Sequence, residues 1–350
     1  MFCVQKYVAS DPDEYASVIR GNQVDFVSVD PGRFSASVTL IRLGCVDLEI
    51  GEANLGLLAQ ITPRSRQPKF GFIRALGAPA LRNATDIPTD NVAFSHSGAS
   101  GSIHALGAHE WASLSVRMED VEGFQLDSSD HGTSAPPSTY VLDRAGPLMD
   151  RLREVEMGIV NLADSAPDMF ASGGMALEFE DEVMRILAAA MPRRRTPEKQ
   201  CAGDHSRVLS RFHEFLEANS DRSVYISELC DATGSPVRTL RTICHRYFGI
   251  GPQRYLYLRR MHLARRTLLS ERCDENTVTN IAMKFGFWEL GRFAVQYREL
   301  FGESPGVTLR AQPYRNLRLQ PVGRPVIPSE IGAPVSARVR HPSGEAFNYP

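Results

Sequence analysis

Residues 284–305 read KFGFWELGRFAVQYRELFGESP, and this stretch decides the fold of the C-terminal part of the chain. Gly286 interrupts an apolar pattern, which resumes at helical spacing in Phe293, Tyr297 and Phe301. A glycine and then a proline follow that pattern, and both residue types are signals that end a helix. The stretch therefore predicts a tight turn followed by one helix with an aromatic inner face.

The same arrangement occurs a second time, about 53 residues earlier in the chain. ISELCDATGSPVRTLRTICHRYFGIGP at residues 226–252 aligns with VTNIAMKFGFWELGRFAVQYRELFGESP at residues 278–305. Each copy predicts a short apolar helix, a turn at Gly234 or Gly286, and a longer helix, which together make a helix-turn-helix. Glycine suits the positive φ that such a turn requires. Ser235–Pro236 further predicts the N-cap and first residue of the longer helix in the first copy.

The two longer helices each present an outward face with side chains able to contact DNA. Arginine pairs well with guanine, and short polar side chains hydrogen-bond to base edges or phosphates. Glu289 has two readings: it accepts from cytosine, or it orients Arg292 as an i,i+3 partner. The predicted DNA-reading residues are Arg238, Arg241, Thr242, Glu289, Arg292, Val295 and Gln296.

A third helix is predicted between the two copies, in PQRYLYLRRMHLARRTLLSER, from about Gln253 to Leu269. At 1.5 Å per residue it spans roughly 25 Å. With the width of the flanking units, this length places the two reading helices about one DNA turn apart, the 34–36 Å between successive major grooves. Arg259, Arg265 and Arg266 on this helix are predicted to contact the DNA backbone.

These motifs resemble those of a known family. IAMKFGFWELGRFAVQYRELFGESP resembles the signature of the AraC/XylS family of bacterial transcription regulators, and SPVRTLRTICHRYFGIGPQRYLYLRRMHLARRTL is similar to the family's more variable first half. The resemblance implies that residues 205–310 form a seven-helix domain that binds double-stranded DNA. Trp288 and Gly291 stand where small polar residues are usual in the family, and Cys244 stands where phenylalanine is usual. The resemblance also implies an activator that forms a homodimer, answers to a small-molecule effector and contacts RNA polymerase.

The remainder of the chain divides into zones of different composition, which gives an α+β, multidomain fold class. Short runs such as VDFVSV, ASVTLIRL and CVDLEI predict a β-rich domain over residues 1–142, a cupin-like barrel or sandwich. Residues 143–191 predict two helices whose broad apolar faces either cover the sheet or pair with another subunit. Residues 192–204 are predicted to be a linker, and the Pro-rich tail at 311–350 is predicted to be disordered.

The charge of the chain is unevenly distributed. The net charge is -2 over 350 residues, but residues 201–310 hold 16 Lys+Arg against 12 Asp+Glu, whereas residues 1–200 hold 18 against 27. Only the basic part is suited to approach a polyanion. The chain has no apolar run long enough to span a membrane and no signal-peptide pattern at its N-terminus, so a cytoplasmic protein is expected.

The sequence offers few residues for catalysis or metal binding. Its six cysteines form no C-x-x-C pair, which favours reduced thiols. His96, His104 and His109 do not have the spacing of a metal site, so we expect no metal, no cofactor and no catalytic residue. The alternatives left open are an enzyme with a cupin-like β-domain and an appended helical domain, and an N-terminal domain that only dimerises.

Overall fold

The chain folds into a β-rich N-terminal domain, two covering helices and an all-helical C-terminal domain. The computed structural model describes residues 3–63, 69–76, 80–82, 85–87, 92–95, 101–117, 139–142, 146–166, 174–190, 203–219, 221–270, 277–311 and 318–320. The predictions for the linker at 192–202, for most of the tail and for His96 lie outside these residues. None of the described helices is long and apolar enough to cross a membrane.

The described strands of the N-terminal domain form two antiparallel sheets. In chain order they are β1 (Cys3–Ala9), β2 (Asn22–Ser28), β3 (Ala36–Leu43), β4 (Val46–Ala53), β5 (Leu57–Pro63), β6 (Lys69–Leu76), β7 (Ala80–Arg82), β8 (Thr85–Ile87), β9 (Val92–Ser95), β10 (Gly101–Ala105), β11 (His109–Arg117) and β12 (Thr139–Leu142). A short strand of the tail, β13 (Arg318–Gln320), joins them. The larger sheet has the order β12-β9-β6-β11-β4-β3-β1-β13, and the smaller β2-β5-β10-β7-β8.

The central hairpin of the larger sheet shows why these residues form strands. β3 is rich in β-branched and other large apolar residues, and its apolar side chains are buried. β3 and β4 are joined at Gly44, whose φ of 56° lies in the left-handed region that a tight turn needs. Among the described strands, the first and last strand of each sheet do not pair with each other, so each sheet is open. The β-rich domain is thus confirmed, whereas the cupin-like barrel stays a prediction.

Helix α1 (Pro12–Val18) and the two sheets enclose one apolar core. Tyr15 of α1 is completely buried between the sheets, and its ring centroid lies 5.1 Å from that of Phe26 on β2. Trp111 of β11 donates from Nε1 to the Tyr15 hydroxyl at 2.7 Å. The side chain of Trp111 also lies against Gly51, where a Cβ would come within 2.3 Å of the indole. Trp111 is thus a packed aromatic of this core.

Helices α2 (Gly146–Ser165) and α3 (Gly174–Ala190) lie on the outer face of the larger sheet. Leu152 and Ile159 of α2 share a buried cluster with Val183 of α3 and with Leu48 and Leu114 of the sheet. Of the two alternatives for their apolar faces, the structure shows the one in which they cover the sheet. An interface with a second subunit therefore has to use other residues of these helices.

The C-terminal domain consists of seven helices among the described residues. They are α4 (Gly203–Ala218), α5 (Ile226–Thr233), α6 (Val237–Phe248), α7 (Pro252–Ser270), α8 (Val278–Lys284), α9 (Leu290–Phe301) and α10 (Pro305–Arg310). Helix α7 runs through the middle, and its buried residues lie on nearly all sides of the helix. One apolar cluster takes in α7 together with Leu240 and Tyr247 of α6 and Phe293 and Tyr297 of α9. Both helix-turn-helix units are therefore held against one joining helix.

The C-terminal domain also docks directly on the N-terminal domain. Val27 and Leu58, on β2 and β5, belong to the same buried cluster as the helices. The backbone N–H of Ser28 donates to Nε2 of His262 on α7 at 3.0 Å. Beyond β2, the N–H of Gly32 donates to the carbonyl oxygen of Leu300 on α9 at 3.1 Å. The two domains thus share both an apolar core and hydrogen bonds.

A short part of the tail is ordered against the N-terminal domain. Strand β13 pairs antiparallel with β1, with Tyr7 opposite Leu319. For these three residues the structure differs from the prediction of a disordered tail. Pairing covers the edge that β1 would otherwise leave open.

Candidate nucleic-acid interface

The first helix-turn-helix consists of α5 and α6. Its turn depends on Gly234, which has φ 65° and donates its N–H to the carbonyl oxygen of Asp231. The left-handed conformation is the one predicted for this glycine. Helix α6 begins at Val237, with Pro236 at the N-cap and no side-chain capping bond, one residue later than the Ser235–Pro236 pattern predicted. Ser235 is instead buried in the turn.

Helix α6 turns one side to the core and the other to solvent. Leu240, Ile243, Cys244 and Tyr247 are buried on the inner side. The predicted reading residues Arg238, Arg241 and Thr242 are exposed on the opposite side. Thr242 donates its hydroxyl back to the carbonyl oxygen of Arg238 at 3.2 Å. Arg238 and Arg241 are exposed to solvent, where a polyanion can contact them.

The second unit, α8 and α9, repeats this geometry with a different turn. Thr277 caps α8 by accepting from the N–H of Asn280 at 3.2 Å. Gly286 has φ 78°, and the N–H of the following Phe287 donates to the carbonyl oxygen of Ala282 at 2.9 Å. The rings of Phe287 and Phe293 lie 4.8 Å apart, which anchors the turn to the first part of α9. The start of α9 is therefore held firmly in place.

The predicted reading residues of α9 differ in their exposure. Glu289, at the N-cap, and Arg292 are both well exposed, and their charged atoms are 4.0 Å apart. An exposed pair at this distance orients the arginine only weakly and leaves it free to contact another partner. Val295 is also exposed, whereas Gln296 is half-buried.

A groove of about 310 Å³ separates the start of α9 from the joining helix α7. Arg260 of α7 lies over the ring of Phe287 with its guanidinium carbon 5.3 Å from the ring centroid. The opposite wall contains Trp288 and Arg292. The complete lining consists of Tyr257, Arg260, Gly286, Phe287, Trp288, Glu289, Arg292, Phe293 and Gln296. This groove brings cationic and aromatic side chains to the solvent edge of the second unit.

Arg259 does not have the position that a DNA backbone contact requires. It is buried, and Nη2 donates to the carbonyl oxygens of Leu216 and Asn219 at 2.9 and 2.7 Å. Nη1 donates to the carbonyl oxygen of Arg222 at 3.2 Å. Carbonyls at the end of a helix lack partners within the helix, and a cation there also interacts favourably with the helix dipole. Arg259 thus closes the C-terminal end of α4, and the prediction that it contacts DNA does not hold in this structure.

Arg265 and Arg266 are also engaged inside the protein. Arg265 is buried and donates to Asp11 Oδ2 at 2.9 Å and to Glu303 Oε1 at 2.7 Å. Arg266 donates to Asp13 at 2.6 Å and to Asp25. These acidic partners belong mainly to the N-terminal domain, so the two arginines join the domains. The prediction that they contact the DNA backbone is therefore corrected, because a phosphate would have to displace carboxylates that already neutralise them.

The charges at this junction also determine the pKa of Arg266. Burial by itself lowers the pKa of this guanidinium, but the carboxylates of Asp25 and Asp13 more than offset burial and raise the pKa above its ordinary value. Burial raises the pKa of Asp13, while Arg266 acts to lower it. The arginine side of this pair is thus always charged, and the junction is a stable ionic contact.

Other arginines are better placed to contact phosphates. Arg246 at the end of α6 and Arg254 near the start of α7 are exposed, and Arg260 is half-buried at the groove. The guanidinium carbon of Arg254 lies 5.2 Å from the centroid of the Tyr257 ring. The sequence contained a sign of this difference among the arginines. Apolar residues recur on nearly all sides of α7, as in a buried helix, so some of its arginines lie inside the protein.

The described residues hold no group of three or more His, Cys, Asp or Glu side chains that could bind a metal ion. His104 and His109 lie in the N-terminal domain, and burial lowers the pKa of both. His104 packs against Gly249 at the end of α6, where a Cβ would come within 2.6 Å of its Nδ1. The structure places this histidine in the contact between the domains.

Comparison with known proteins agrees with this geometry. Residues 229–311 match the family model described as a helix-turn-helix domain. A probable thc operon regulatory protein of Rhodococcus erythropolis is 35% identical over 102 residues, which are 29% of this chain and 31% of that protein. The XylDLEGF operon transcriptional activator 2 of Pseudomonas putida is 33% identical over 99 residues, 28% of this chain and 63% of that protein. The chain thus spans less than two thirds of these relatives.

A solved structure is also similar to part of the chain. The probable AraC family transcriptional regulator from Rhodopseudomonas palustris CGA009 is 36% identical, and the match covers 30% of this chain and 98% of that one, with a TM-score of 0.27. The fold and the exposed faces of α6 and α9 define a double helix-turn-helix domain. This domain is of the AraC type, which is the domain that the chain shares with regulators of the AraC/XylS family.

Proposed function

We propose that this chain is a sequence-specific transcription regulator that binds double-stranded DNA through α6 and α9. The observation that carries the proposal is the shared core: both helices bury one face against α7 and leave the other exposed. A single rigid body that presents two such helices is suited to successive major grooves. The relatives are named as operon regulators and activators, and none of this supports the alternative of an enzyme.

The proposed contacts with base edges come from the outward faces of the two helices. They are Arg238, Arg241 and Thr242 on α6 and Glu289, Arg292, Val295 and Gln296 at the start of α9. The proposed contacts with phosphates come from Arg246, Arg254 and Arg260, since these remain accessible. Phosphate contacts fix the position of the protein on the duplex, and base contacts supply specificity.

The experiment that tests this function is selection of bound duplexes from a random pool with the full chain. The expected product is a site with two conserved blocks whose centres are one helical turn, about 10–10.5 base pairs, apart. Binding to that site should weaken by orders of magnitude between about 50 and 200 mM salt, because several phosphate contacts release counterions. A pool that shows no enrichment after selection would contradict the proposal.

We further propose that the N-terminal part controls this activity. In this proposal residues 1–142 are a cupin-like sensing domain for a small-molecule effector, 143–191 a dimerisation segment, 192–204 a linker, 205–310 the DNA-binding domain and 311–350 a tail. Activation would then include contact with RNA polymerase in the cytoplasm. Support comes from the direct docking of the two domains, because a ligand that alters the β-rich domain would also act on α7 and α9.

The proposal of a homodimer has its own test. Met157 of α2 and Leu177 of α3 are large apolar residues that remain exposed although the other apolar faces of these helices cover the sheet. Sedimentation of the full chain at tens of micromolar should show a dimer, and Met157→Asp with Leu177→Asp should convert it to a monomer. If the wild-type chain sediments strictly as a monomer, the proposal of a homodimer through α2 and α3 is wrong, and the N-terminal domain can act only as a sensor.

A further inference from the structure

The outward face of α9 is unusually apolar for a helix that is exposed to solvent. Trp288, just before the helix, is 69% exposed, and Val295 in its second turn is 58% exposed. Leu290, the first residue of the helix, is 38% exposed. Val295 is three residues after Arg292 and four after Gly291, so these residues lie on one side of the helix, and Trp288 lines the same groove as Arg292. Trp288 and Val295 are thus exposed apolar side chains on either side of Arg292, and we term the surface of these three residues the α9 face.

The corresponding helix of the first unit has a different surface. The exposed side of α6 presents Arg238, Arg241, Thr242 and Arg246. Both helices occupy the same position in repeated units and bury the same kind of inner stripe. The outward faces therefore differ in part: that of α6 carries three arginines, whereas that of α9 carries Trp288 and Val295 beside Arg292. Two reading helices of unlike chemistry are suited to two half-sites of unlike sequence.

A second observation at the same place is Gly291, in the first turn of α9. A Cβ added to this glycine would meet no described atom within 4 Å, and the residue does not have a positive φ. Alanine is a better helix former than glycine. Neither the backbone nor packing inside the described chain requires glycine there. A glycine between Trp288 and Val295 does, however, allow an external surface to come close to the helix backbone.

We infer that the α9 face reads thymine methyl groups in the major groove, with Gly291 allowing the close approach. The inference rests on the proposed function. Thymine presents a C5 methyl group to the major groove, and apolar side chains recognise it by contact. The N-terminal turn of a recognition helix is the part that points at base edges, and Trp288, Leu290 and Gly291 lie at that end. The half-site under α9 is then rich in thymine, and the half-site under α6 is read through hydrogen bonds.

DNA fits this face better than a protein partner, because the face is not purely apolar. Arg292 lies within it and Arg260 stands beside it across the groove. A cation beside apolar side chains matches a groove edge, where phosphate and methyl groups are neighbours. A protein partner docked on α9 is the competing occupant, and the experiment separates the two.

The test replaces thymine by deoxyuridine, which removes only the C5 methyl group. After selection has defined the site with the full chain, each thymine of the α9 half-site is replaced in turn, and the thymines of the α6 half-site serve as the control. We expect about fourfold weaker binding for each contacted methyl group, the effect of one buried methylene, and little change in the α6 half-site. Equal binding of all deoxyuridine duplexes would overturn the inference while leaving sequence-specific binding intact.

Two substitutions complete the test. Val295→Ala should weaken binding to the thymine site and remove most of the difference between thymine and deoxyuridine, whereas Val307→Ala, an equally conservative change at an exposed valine of α10, should do neither. Gly291→Ala should raise the melting temperature yet weaken binding at least tenfold, because the added methyl group occupies the space of the base edge.

Variants at Val295 that bind DNA normally but lose activation would identify a protein partner and overturn the inference. Failure of selection itself would instead contradict the proposed function.

Discussion

Arg265 of α7 and Asp11 of the N-terminal domain form an ion pair in which Nε lies 2.9 Å from Oδ2 and both side chains are almost completely buried. Glu303 accepts from the same guanidinium at 2.7 Å, and the ring of Phe301 lies beneath it with the guanidinium carbon 4.9 Å from the centroid. Asp11 also caps α1 by accepting from the N–H of Asp13 at 2.8 Å. One carboxylate thus starts a helix of one domain and fixes the joining helix of the other.

Removal of the Asp11 charge should destabilise the protein strongly. Asp11→Asn keeps the size and capping ability of the residue but leaves a buried guanidinium with one carboxylate fewer, and loss of one partner from a buried pair costs about 3 kcal/mol. Asp47→Asn is the control, because its pair with Arg42 is partly exposed and should contribute less than about 1 kcal/mol. Urea unfolding of the full chain measures both. Equal effects of the two substitutions would show that the junction contributes no special stability.

The stability of the C-terminal domain should depend on pH through its buried histidines. Burial, helped by the charges of Arg266 and Arg265 and partly opposed by Asp11, lowers the pKa of His262 to about 4. Burial also lowers the pKa of His213 to about 4. A histidine in the unfolded chain titrates near 6.5, so the unfolded state binds more protons between these values. The free energy of unfolding should be constant above about pH 6.5 and fall towards pH 4, by up to about 1.4 kcal/mol per pH unit for each histidine.

The variant His262→Gln isolates one of these two contributions. Glutamine retains an oxygen that can accept from the Ser28 N–H but does not titrate, so the slope between pH 6.5 and 4 should become shallower. His245→Gln, at an exposed position of α6, is the matched control. Unfolding by urea at a series of pH values gives the slopes. An unchanged slope in His262→Gln would mean that this histidine is not the group responsible.

Substitutions of Arg259 and Arg254 should have different effects, although both residues lie on α7: the first should lower stability and the second should weaken DNA binding. Arg259→Ala removes the donor to three carbonyl oxygens, one in the last turn of α4 and two just beyond it, and hydrogen bonds to a charged group contribute about 1.5–3 kcal/mol. Arg254→Ala removes an exposed side chain and should alter the free energy of unfolding by less than about 0.5 kcal/mol. Binding to the selected site should then weaken in Arg254→Ala, and the dependence of its logarithm on salt should fall by about one.

Either of two results would contradict this prediction about Arg259 and Arg254. A stable Arg259→Ala protein with weakened DNA binding would mean that Arg259 reaches the phosphates after all. An Arg254→Ala protein that binds every sequence as well as the wild type would remove it from the interface. Chemical denaturation and a filter-binding assay at two salt concentrations distinguish these outcomes.

The local parts of the fold were predictable from the sequence because they depend on neighbouring residues. Gly234 and Gly286 have the positive φ that their turns required, and the inner faces of α6 and α9 are buried as their spacing indicated. Helical periodicity and turn chemistry act over a few residues, so a single sequence contains them. Helix α7 begins one residue before its predicted first residue, Gln253, and ends one residue after its predicted last residue, Leu269.

The roles of the arginines were not predictable in the same way, because their partners are far away in sequence. Arg265 pairs with Asp11 and Arg266 with Asp13, each more than 250 residues earlier in the chain. An arginine on a helix joining two DNA-binding units has the same local pattern whether it contacts phosphate or a carboxylate. The apolar faces of α2 and α3 presented the same difficulty, since a sheet and a second subunit both require an apolar face. Only the tertiary arrangement decides between these partners.

The assignment of base reading to Arg292 is the most direct test of the proposed interface. Its side chain is 59% exposed, and it lies beside Phe293, which is buried and fixes the start of α9. An arginine in this turn is able to form two hydrogen bonds with guanine O6 and N7, a contact that gives about 1–3 kcal/mol of discrimination. Arg292→Ala should therefore weaken binding to the selected site by about ten- to a hundred-fold and relax the choice at one base pair.

Arg298→Ala, exposed near the other end of the same helix, is the matched control and should not change specificity at that base pair. Competition with sites randomised one base pair at a time measures both variants. If Arg292→Ala weakens every site by the same factor, the guanidinium contacts phosphate, and α9 must obtain its specificity from other residues.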